Sequence, residues 1–567
     1  MTTSSLSLDT PTLALGSAIL LALALNFKLR PPPPQVHPFL LGRQSLPAPT
    51  RTPGQSPVYS SAANGGVRAP YRPDRNVRTL DDVLRKSQTC LEGGERGTWV
   101  KGGEGLVSLV DGLRAGLVSK LAGASGSVLV VIDDPTDALL VTLALATSPH
   151  KPVVLSPDSS LPEGLHFGAI VKSSERDLDL GDAKFLDLGD AEAAQDLLAT
   201  GRSLATGAET TKTTATTSDK ADVNEVVLTI VSDGIPLALS HQNLTASIVS
   251  WLSLFPASPQ ATKPSLRDTV LSFHHPSTPH GLGLALTVIH QSSSLSFPSP
   301  PAPTQDLDAD SAADAWCALF APKPAATLIF APTTVLDGPL YTLVLHKILG
   351  DSSLIVRQAR DGKLRLLREG TVSKQTFWDS LMWKGLRKDI HLTSLRGLFL
   401  SSSPAASTAP LQSLLDTFRI SLGCPVVPLL AHPASLAPLA AANMWDVQRL
   451  PPPGARGELS GDERGHVGAV VGGVEVKLVG SEDDFAAGRM RGELLLRSPA
   501  LPHPSTLPPH LLSTDPVLPQ LPPYPGQAPT DADADAGGSD AEKWFRTGIK
   551  AEMSTEGTLW LVESTVQ

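Results

Sequence analysis

Apolar and polar positions alternate along this chain with two different periods. In "VRTLDDVLRKSQTCL" and "GLVSLVDGLRAGLVSKL" the apolar residues recur every three or four positions, which predicts amphipathic helices. "SVLVVID" followed by "DPTDALLVTLALAT" reads as a buried strand feeding a helix, and "KPVVLSP" and "FGAIVKS" predict further strands. Strands and helices that alternate in this way build a parallel α/β sheet. The pattern resumes with an apolar helix in "NLTASIVSWLSLF" and a strand and helix through "TVLSFHHPSTPHGLGLALTVIHQSSSLSF". "ATLIFAP" and "LRGLFLSSSP" predict strands, with helical material in "FWDSLMWKGLRK" between them. From "GHVGAVVGGVEVKLV" to "GELLLRSPAL" the period is close to two, which predicts antiparallel strands.

Four stretches stand outside these periods. Leu13 to Phe27 is almost wholly apolar and is followed by Lys28, Arg30 and the prolines Pro31 to Pro34. A spanning helix needs roughly 20 apolar residues, so a signal peptide competes with a membrane anchor here. No basic residue precedes the run and the positive charges follow it, which favours an uncleaved anchor with the rest of the chain on the cytosolic side. Residues 28–76 are rich in proline, serine and arginine and predict an irregular arm, with folded sequence from about Val77. "TGAETTKTTATTSDK" predicts a flexible surface loop, and the Pro- and Asp-rich residues 499–540 a disordered, solvated insertion. The expected division is an anchor at 13–27, an arm at 28–76, α/β sequence at 77–464 and a β-rich part at 465–566.

At 567 residues the chain can bury a substantial core, in several domains or one large layered one. Its net charge of -10 offers nothing to neutralise a phosphate backbone, which excludes a nucleic-acid partner. Cys90, Cys317 and Cys424 lie far apart and form neither a disulfide framework nor a zinc site; they read as reduced, buried thiols.

The candidate chemistry lies in "LTIVSDGIPLALSHQNL", Leu228 to Leu244. A turn of small residues between an apolar strand and a helix start is the usual layout of a phosphate site. Here the turn carries Asp233, and no lysine follows it before His241. The chain has no G-x-S-x-G elbow, no Walker-type G-K-[ST] and no H-E-x-x-H. His274, His275 and His280 cluster in sequence, but no carboxylate or cysteine at ligand spacing accompanies them, which favours a structural role over a metal site.

The order of segments resembles the adenylate-forming (AMP-binding) superfamily, in particular fungal-type long-chain fatty-acyl-CoA synthetases. "KPAATLIFAPTTVLD", "SLRGLFLSSSP", "LGCPVV", "GHVGAVVGGVEVKLV", "RGELLLRSP" and "EKWFRTGIKAEMSTEGTLWLVE" follow one another as that family's motifs do. The resemblance implies an α/β fold with two α/β sheet subdomains plus a smaller β-rich subdomain. The implied cofactors are ATP, Mg²⁺ and CoA. The family's phosphate loop reads T-S-G-T-T-G-x-P-K-G and ends in T-H-x-N-L. Thr229, Ser232, Gly234 and Pro236 match it in register and "SHQNL" matches its ending, so Thr229, Ser232 and Gly234 are the residual phosphate-loop positions.

The departures all weaken nucleotide chemistry. The loop lysine and glycine after Pro236 are missing, and Asp233 would set a carboxylate beside the triphosphate, a repulsion of several kcal/mol at an effective dielectric of about 20. "LLAHPA", Leu429 to Ala434, replaces the family's "GYGLTE" and its Mg²⁺-holding glutamate; His432 is no substitute and reads as a surface or core histidine. The adenine-contacting "GGAP" becomes Ser402, Ser403 and Pro404. Ile549 stands where the ribose-binding aspartate is expected, and Ser564 follows Glu563 where the hinge arginine would be. Gln567 falls at that hinge, so a C-terminal lid domain is expected to be absent. The resulting expectation is a catalytically dead, membrane-anchored acyl-CoA-synthetase-like protein on the cytosolic face of the endoplasmic reticulum. It would have no catalytic residue, no metal and no required cofactor, and a lipid-binding or scaffolding role with fatty acid or acyl-CoA as ligand. The alternatives are an active long-chain fatty-acid–CoA ligase with a diverged nucleotide site or a truncated chain, and a nonfunctional relic.

Overall fold

The computed structural model describes residues 10–11, 14–20 and 38–562, apart from 66–68, 93–105, 123–125, 163–166, 174–183, most of 189–221, 256–262, 299–324, 336–353, 403–411, 448–463, 515–542 and a few single positions. The threonine-rich loop, Cys317, Ser403, Pro404, Ser564, the acidic run before Asp540 and most of the apolar N-terminal run lie outside the described residues. Within that run, residues 14–20 are helical. No helix among the described residues is long and apolar enough to cross a membrane.

Two short strands come first, β1 (Ser45–Pro47) and β2 (Tyr59–Ser61), after which helices α1 (Leu80–Glu92) and α2 (Leu106–Lys120) lead into the first large sheet. That sheet holds β3 (Ser127–Ile132), β4 (Pro152–Leu155), β5 (Phe167–Ser173), β6 (Lys184–Asp187), β7 (Val226–Ser232) and β8 (Ile235–Ser240) in the order β6-β5-β3-β4-β7-β8. All pairs are parallel except β7 with β8. β3 shows why the sequence chooses a strand. Val128, Val130 and Ile132 enter the main core while Leu129 and Val131 pack on the opposite face, the period of two that a pleated strand imposes. Helix α3 (Pro135–Ala146) follows because Asp134 caps it, its carboxylate accepting from Thr136 and Asp137 N–H at 2.9 Å, with Pro135 at the first helical position.

The second sheet runs β10-β9-β11-β12-β13-β14-β15, from β9 (Thr269–Ser272), β10 (Ser294–Ser296), β11 (Leu328–Pro332), β12 (Gly397–Ser402), β13 (Val426–Leu430), β14 (Ala440–Ala441) and β15 (Ala469–Val470). Its first five strands are parallel and its last two antiparallel. Helices α4 (His241–Leu252) and α5 (Pro279–His290) pack on each other and share one continuous core with both sheets. Every residue of α5 is buried, and at Gly283 a Cβ would fall on the Leu436 carbonyl, so only glycine admits the close approach. The far face of the second sheet is covered by a second cluster that includes Trp383, Leu386, Leu415 and Phe418.

The third sheet is antiparallel: β1-β2-β16-β17-β19-β18, with β16 (Glu475–Val479), β17 (Met490–Arg497), β18 (Leu512–Thr514) and β19 (Lys543–Met553), and β20 (Leu559–Leu561) pairing β19. It corrects two expectations. The stretch read as an irregular arm supplies β1 and β2, which extend the sheet through β2 against β16. Ser45 Oγ donates to the Gly557 carbonyl at 2.6 Å and accepts from Val470 N–H at 3.0 Å, so the arm is built into the structure. Strands of three residues between prolines are too short to show a period. The stretch read as an insertion from Pro499 begins inside the fold: Ala500, Leu501 and Leu507 are buried and β18 pairs β19. Its prolines and polar residues mask these few buried positions in a compositional reading.

Candidate functional site

Where a strand, a turn and a helix start are expected, the chain forms a tight hairpin. β7 and β8 pair as far as Ser232 opposite Ile235, leaving Asp233 and Gly234 as the whole connection. Their φ angles are 50° and 73°, both left-handed, as in the two-residue type I′ turn that Asp-Gly favours. Asp233 N–H is held by Ser159 Oγ at 2.9 Å. No loop remains to wrap a phosphate, and β8 separates the turn from the helix. The "SHQNL" ending serves the fold instead. Ser240 caps α4, accepting from Asn243 N–H while Asn243 Oδ1 accepts from Ser240 N–H at 2.8 Å. Asn243 Nδ2 then donates to the carbonyls of Pro499 and Leu501 at 2.9 and 2.6 Å.

The turn forms one wall of a cavity of about 270 Å³, to which Ser232, Asp233, Ile235 and Leu237 contribute from the hairpin. His432, Pro433 and Ala434 follow β13 to line a second side, and Leu511 with Phe545 to Gly548 line a third. Thr547 and Gly548 reach the cavity because β19 bulges. Glu493 pairs Lys550 and Leu495 pairs Arg546, so three residues of β19 oppose Leu494 alone. Thr547 Oγ1 donates to the Leu494 carbonyl at 2.7 Å and fixes the bulge.

The structure thus brings Ser232, the Asp233 turn and His432 together, with Gly234 in the turn beside them. Thr229 does not join them: it sits mid-strand, paired with Val153 and Ala238. Ile549 is buried in the core, its N–H donating to Thr547 Oγ1 at 3.1 Å. Ser402 ends β12 with a buried hydroxyl that has no partner.

Charge in the cavity is sparse. His432 lies edge-on to the Phe545 ring at 5.1 Å, and its Nδ1 accepts from Ala434 N–H at 3.1 Å. Burial pushes its pKa down to about 4, against a hydrogen bond to the Thr547 backbone, so the ring is neutral at pH 7. Arg546, the one cation among the lining residues, is held by both oxygens of Glu493 at 3.0 and 2.6 Å. Asp233 adds an exposed carboxylate. Among the described residues no group of three His, Cys, Asp or Glu side chains could hold a metal ion. This lining does not fit a triphosphate with Mg²⁺.

The histidines singled out in the sequence form a second cluster, with His280 buried and His274 and His275 partly exposed. His280 Nε2 lies 3.1 Å from Ser401 Oγ, and the His280 ring is 4.8 Å from both Trp251 and His274. Burial depresses the pKa of both, His274 to about 4, and the neighbouring His274 lowers His280 further. His275 accepts from Ser277 N–H at 3.2 Å through Nδ1, which directs Nε2–H to the Asp133 carbonyl at 3.1 Å.

No protein-family model matches the chain, and neither does any curated protein sequence. Solved structures do match. A long-chain-fatty-acid–CoA ligase, FadD1 from Archaeoglobus fulgidus, is 14% identical, with 88% of this chain and 86% of that one covered at a TM-score of 0.52. The nonribosomal peptide synthetase FmoA3 in its AMPPNP-bound form is 12% identical, with 89% of this chain and 44% of that one covered at 0.53. The fold is that of the large domain of adenylate-forming enzymes. O-succinylbenzoate coenzyme A synthetase from Bacillus subtilis, in complex with ATP and magnesium ion, is 12% identical over 85% of this chain and 79% of that one, at 0.48. Within the adenylate-forming fold, the Asp-Gly hairpin occupies the sequence position at which the phosphate-loop resemblance was found. The missing signal was short and local: an Asp-Gly pair between two apolar runs predicts a hairpin directly.

Proposed function

We propose that this protein is an acyl-CoA-synthetase-like pseudoenzyme that does not adenylate and that binds an apolar ligand or scaffolds a partner at a membrane. The observation that carries the reading is the two-residue Asp233–Gly234 turn between paired strands. Phosphate binding needs converging N–H groups and a cation, and a missing donor at the reacting phosphorus costs about 10²–10³ in rate. Here the neutral His432 and the Glu493-paired Arg546 supply no free charge. The cavity of about 270 Å³ lies at the small end for ligand sites, and Ile235, Leu237, Pro433, Leu511 and Phe545 make much of it apolar. A fatty acid or acyl-CoA chain matches that lining better than a nucleotide does. The location we propose is the cytosolic face of the endoplasmic reticulum, carried by residues 13–27; the apolar run followed by Lys28 and Arg30 supports it.

The test is pyrophosphate release from purified protein with ATP, Mg²⁺, CoA and a long-chain fatty acid. None above the protein-free rate is expected, and no Mg·ATP-dependent rise in melting temperature. A ligand at roughly a hundred times its dissociation constant would add about 2.7 kcal/mol to stability, so binding would be visible. Fatty-acid-dependent pyrophosphate release would establish the ligase alternative instead.

A further inference from the structure

Although the chain carries a net charge of -10, nine Lys and Arg residues stand against four Asp and Glu between Leu354 and Asp389. This segment forms α6 (Leu354–Arg368), a π-helical turn (Asp379–Trp383) and α7 (Lys384–Asp389). Lys363 and Arg387 are committed to its interior, pairing buried Asp379 at 2.7 and 2.8 Å. Arg357, Arg360, Arg365, Arg368, Lys384 and Lys388 are exposed, against exposed Asp361, Glu369 and Asp389.

The same segment exposes large apolar side chains: Ile355 at 58%, Phe377 at 54% and Leu381 at 56%. Outside the N-terminal helix, Leu40 and Tyr71 are the only others among the described residues. Trp378 links the elements that carry them. A side chain at Gly362 would meet the Trp378 indole, so residues 377–378 lie against the α6 face that carries Gly362. Ile355 precedes Gly362 by seven residues, two helical turns, and falls on that face. The Phe377 and Trp378 rings meet edge to face at 5.3 Å. Leu381 follows Phe377 by four residues, and Lys384 and Lys388 continue the stripe at helical spacing. Apolar side chains between arginines of one helix and lysines of the next match a bilayer interface, where apolar groups insert and cations meet lipid phosphates.

We propose that this face docks on an anionic lipid bilayer, independently of the apolar N-terminal run and of any ligand in the cavity. Charge complementarity selects that occupant, because an anionic surface attracts this segment, in which cations outnumber anions, although the chain as a whole is acidic.

The test is co-sedimentation of the full chain, beside the chain lacking the residues before Lys28 so that insertion of the apolar run does not mask the preference, with phosphatidylcholine vesicles and with vesicles holding about 30% phosphatidylserine. At least a ten-fold preference for anionic vesicles is expected in low salt, lost in about 1 M salt, where screening reaches about 3 Å. Arg357→Glu, Arg365→Glu, Lys384→Glu and Lys388→Glu together should abolish the preference, and the milder Lys384→Gln with Lys388→Gln should reduce it. Phe377→Asp with Leu381→Asp should lower anionic-vesicle binding about ten-fold, with neutral-vesicle binding unchanged in every variant. Equal binding of parent and variants to anionic vesicles would overturn the proposal, as would a preference that survives high salt. Dimerisation lost in Leu381→Asp without any lipid preference would assign the face to a second copy and overturn it equally.

Discussion

At Gly234 a φ of 73° sets the backbone where a β-branched side chain is strained, and at Asp233 a φ of 50° suits Asp or Asn. Gly234→Val should therefore cost about 1–3 kcal/mol in urea unfolding, while Asp233→Asn should be close to neutral. Equal effects of the two would mean that the hairpin is not formed. Histidines with desolvated rings carry the pH dependence. His274, His290 and His432 have folded pKa values pushed to about 4, chiefly by burial, while an unfolded histidine titrates near 6.5. Between those values the unfolded chain binds more protons, so the stability from keeping these rings neutral is complete above about pH 6.5 and is lost as pH falls towards 4. His274 alone accounts for up to about 3 kcal/mol of this. The melting temperature should be flat from neutral pH upward and fall below about 6.5, and His274→Gln should flatten that fall. An identical acid limb in the variant would assign the fall to other groups.

The helix and strand order was readable from periodicity because each long element buries a full face, as β3 and α5 do. What the sequence hid were elements whose stability is not periodic. β1 and β2 are held by backbone pairing and by Ser45, and the Thr547–Ile549 bulge by a hydroxyl to a carbonyl. The family resemblance also worked against the site. "SDGIP" matches a phosphate loop and a hairpin turn at once; the chain forms the Asp-Gly hairpin, and Ser232 lines the cavity. "SHQNL" teaches the converse, since its polar residues can be kept for capping with no nucleotide to bind. Asn243→Ala should remove the reciprocal cap of α4 and leave the Pro499 and Leu501 carbonyls short of a donor, costing about 2–4 kcal/mol in urea unfolding. A cost below about 0.5 kcal/mol would show that α4 does not depend on this junction. The buried triad was equally invisible, because Lys363, Asp379 and Arg387 are far apart in a charged segment. Asp379→Ala leaves two buried cations facing each other and should cost about 3–5 kcal/mol, more than Asp379→Asn, which keeps hydrogen-bond acceptance.

For the whole molecule, the three sheets share one continuous core, whose described residues run from Tyr59 in β2 onward. Ala14 to Leu20, the described part of the apolar N-terminal run, is helical and exposes Leu15, Ile19 and Leu20 to more than half of their surface. Removing the residues before Lys28 should leave the melting temperature within about 2 °C of the parent, because the described part of the run adds nothing to the core. The same deletion separates the two proposed membrane contacts by their salt response. Apolar insertion of residues 13–27 is insensitive to ionic strength, whereas a cationic face is screened within about a Debye length, roughly 3 Å at 1 M salt. Expressed in cells and fractionated in high salt, the shortened chain should move to the soluble fraction and the parent should stay with the membranes. In low salt the shortened chain should retain the weaker association supplied by Arg357, Arg365, Lys384 and Lys388. Membrane association of the shortened chain that survives high salt would place the anchor elsewhere and remove the basis for assigning it to residues 13–27.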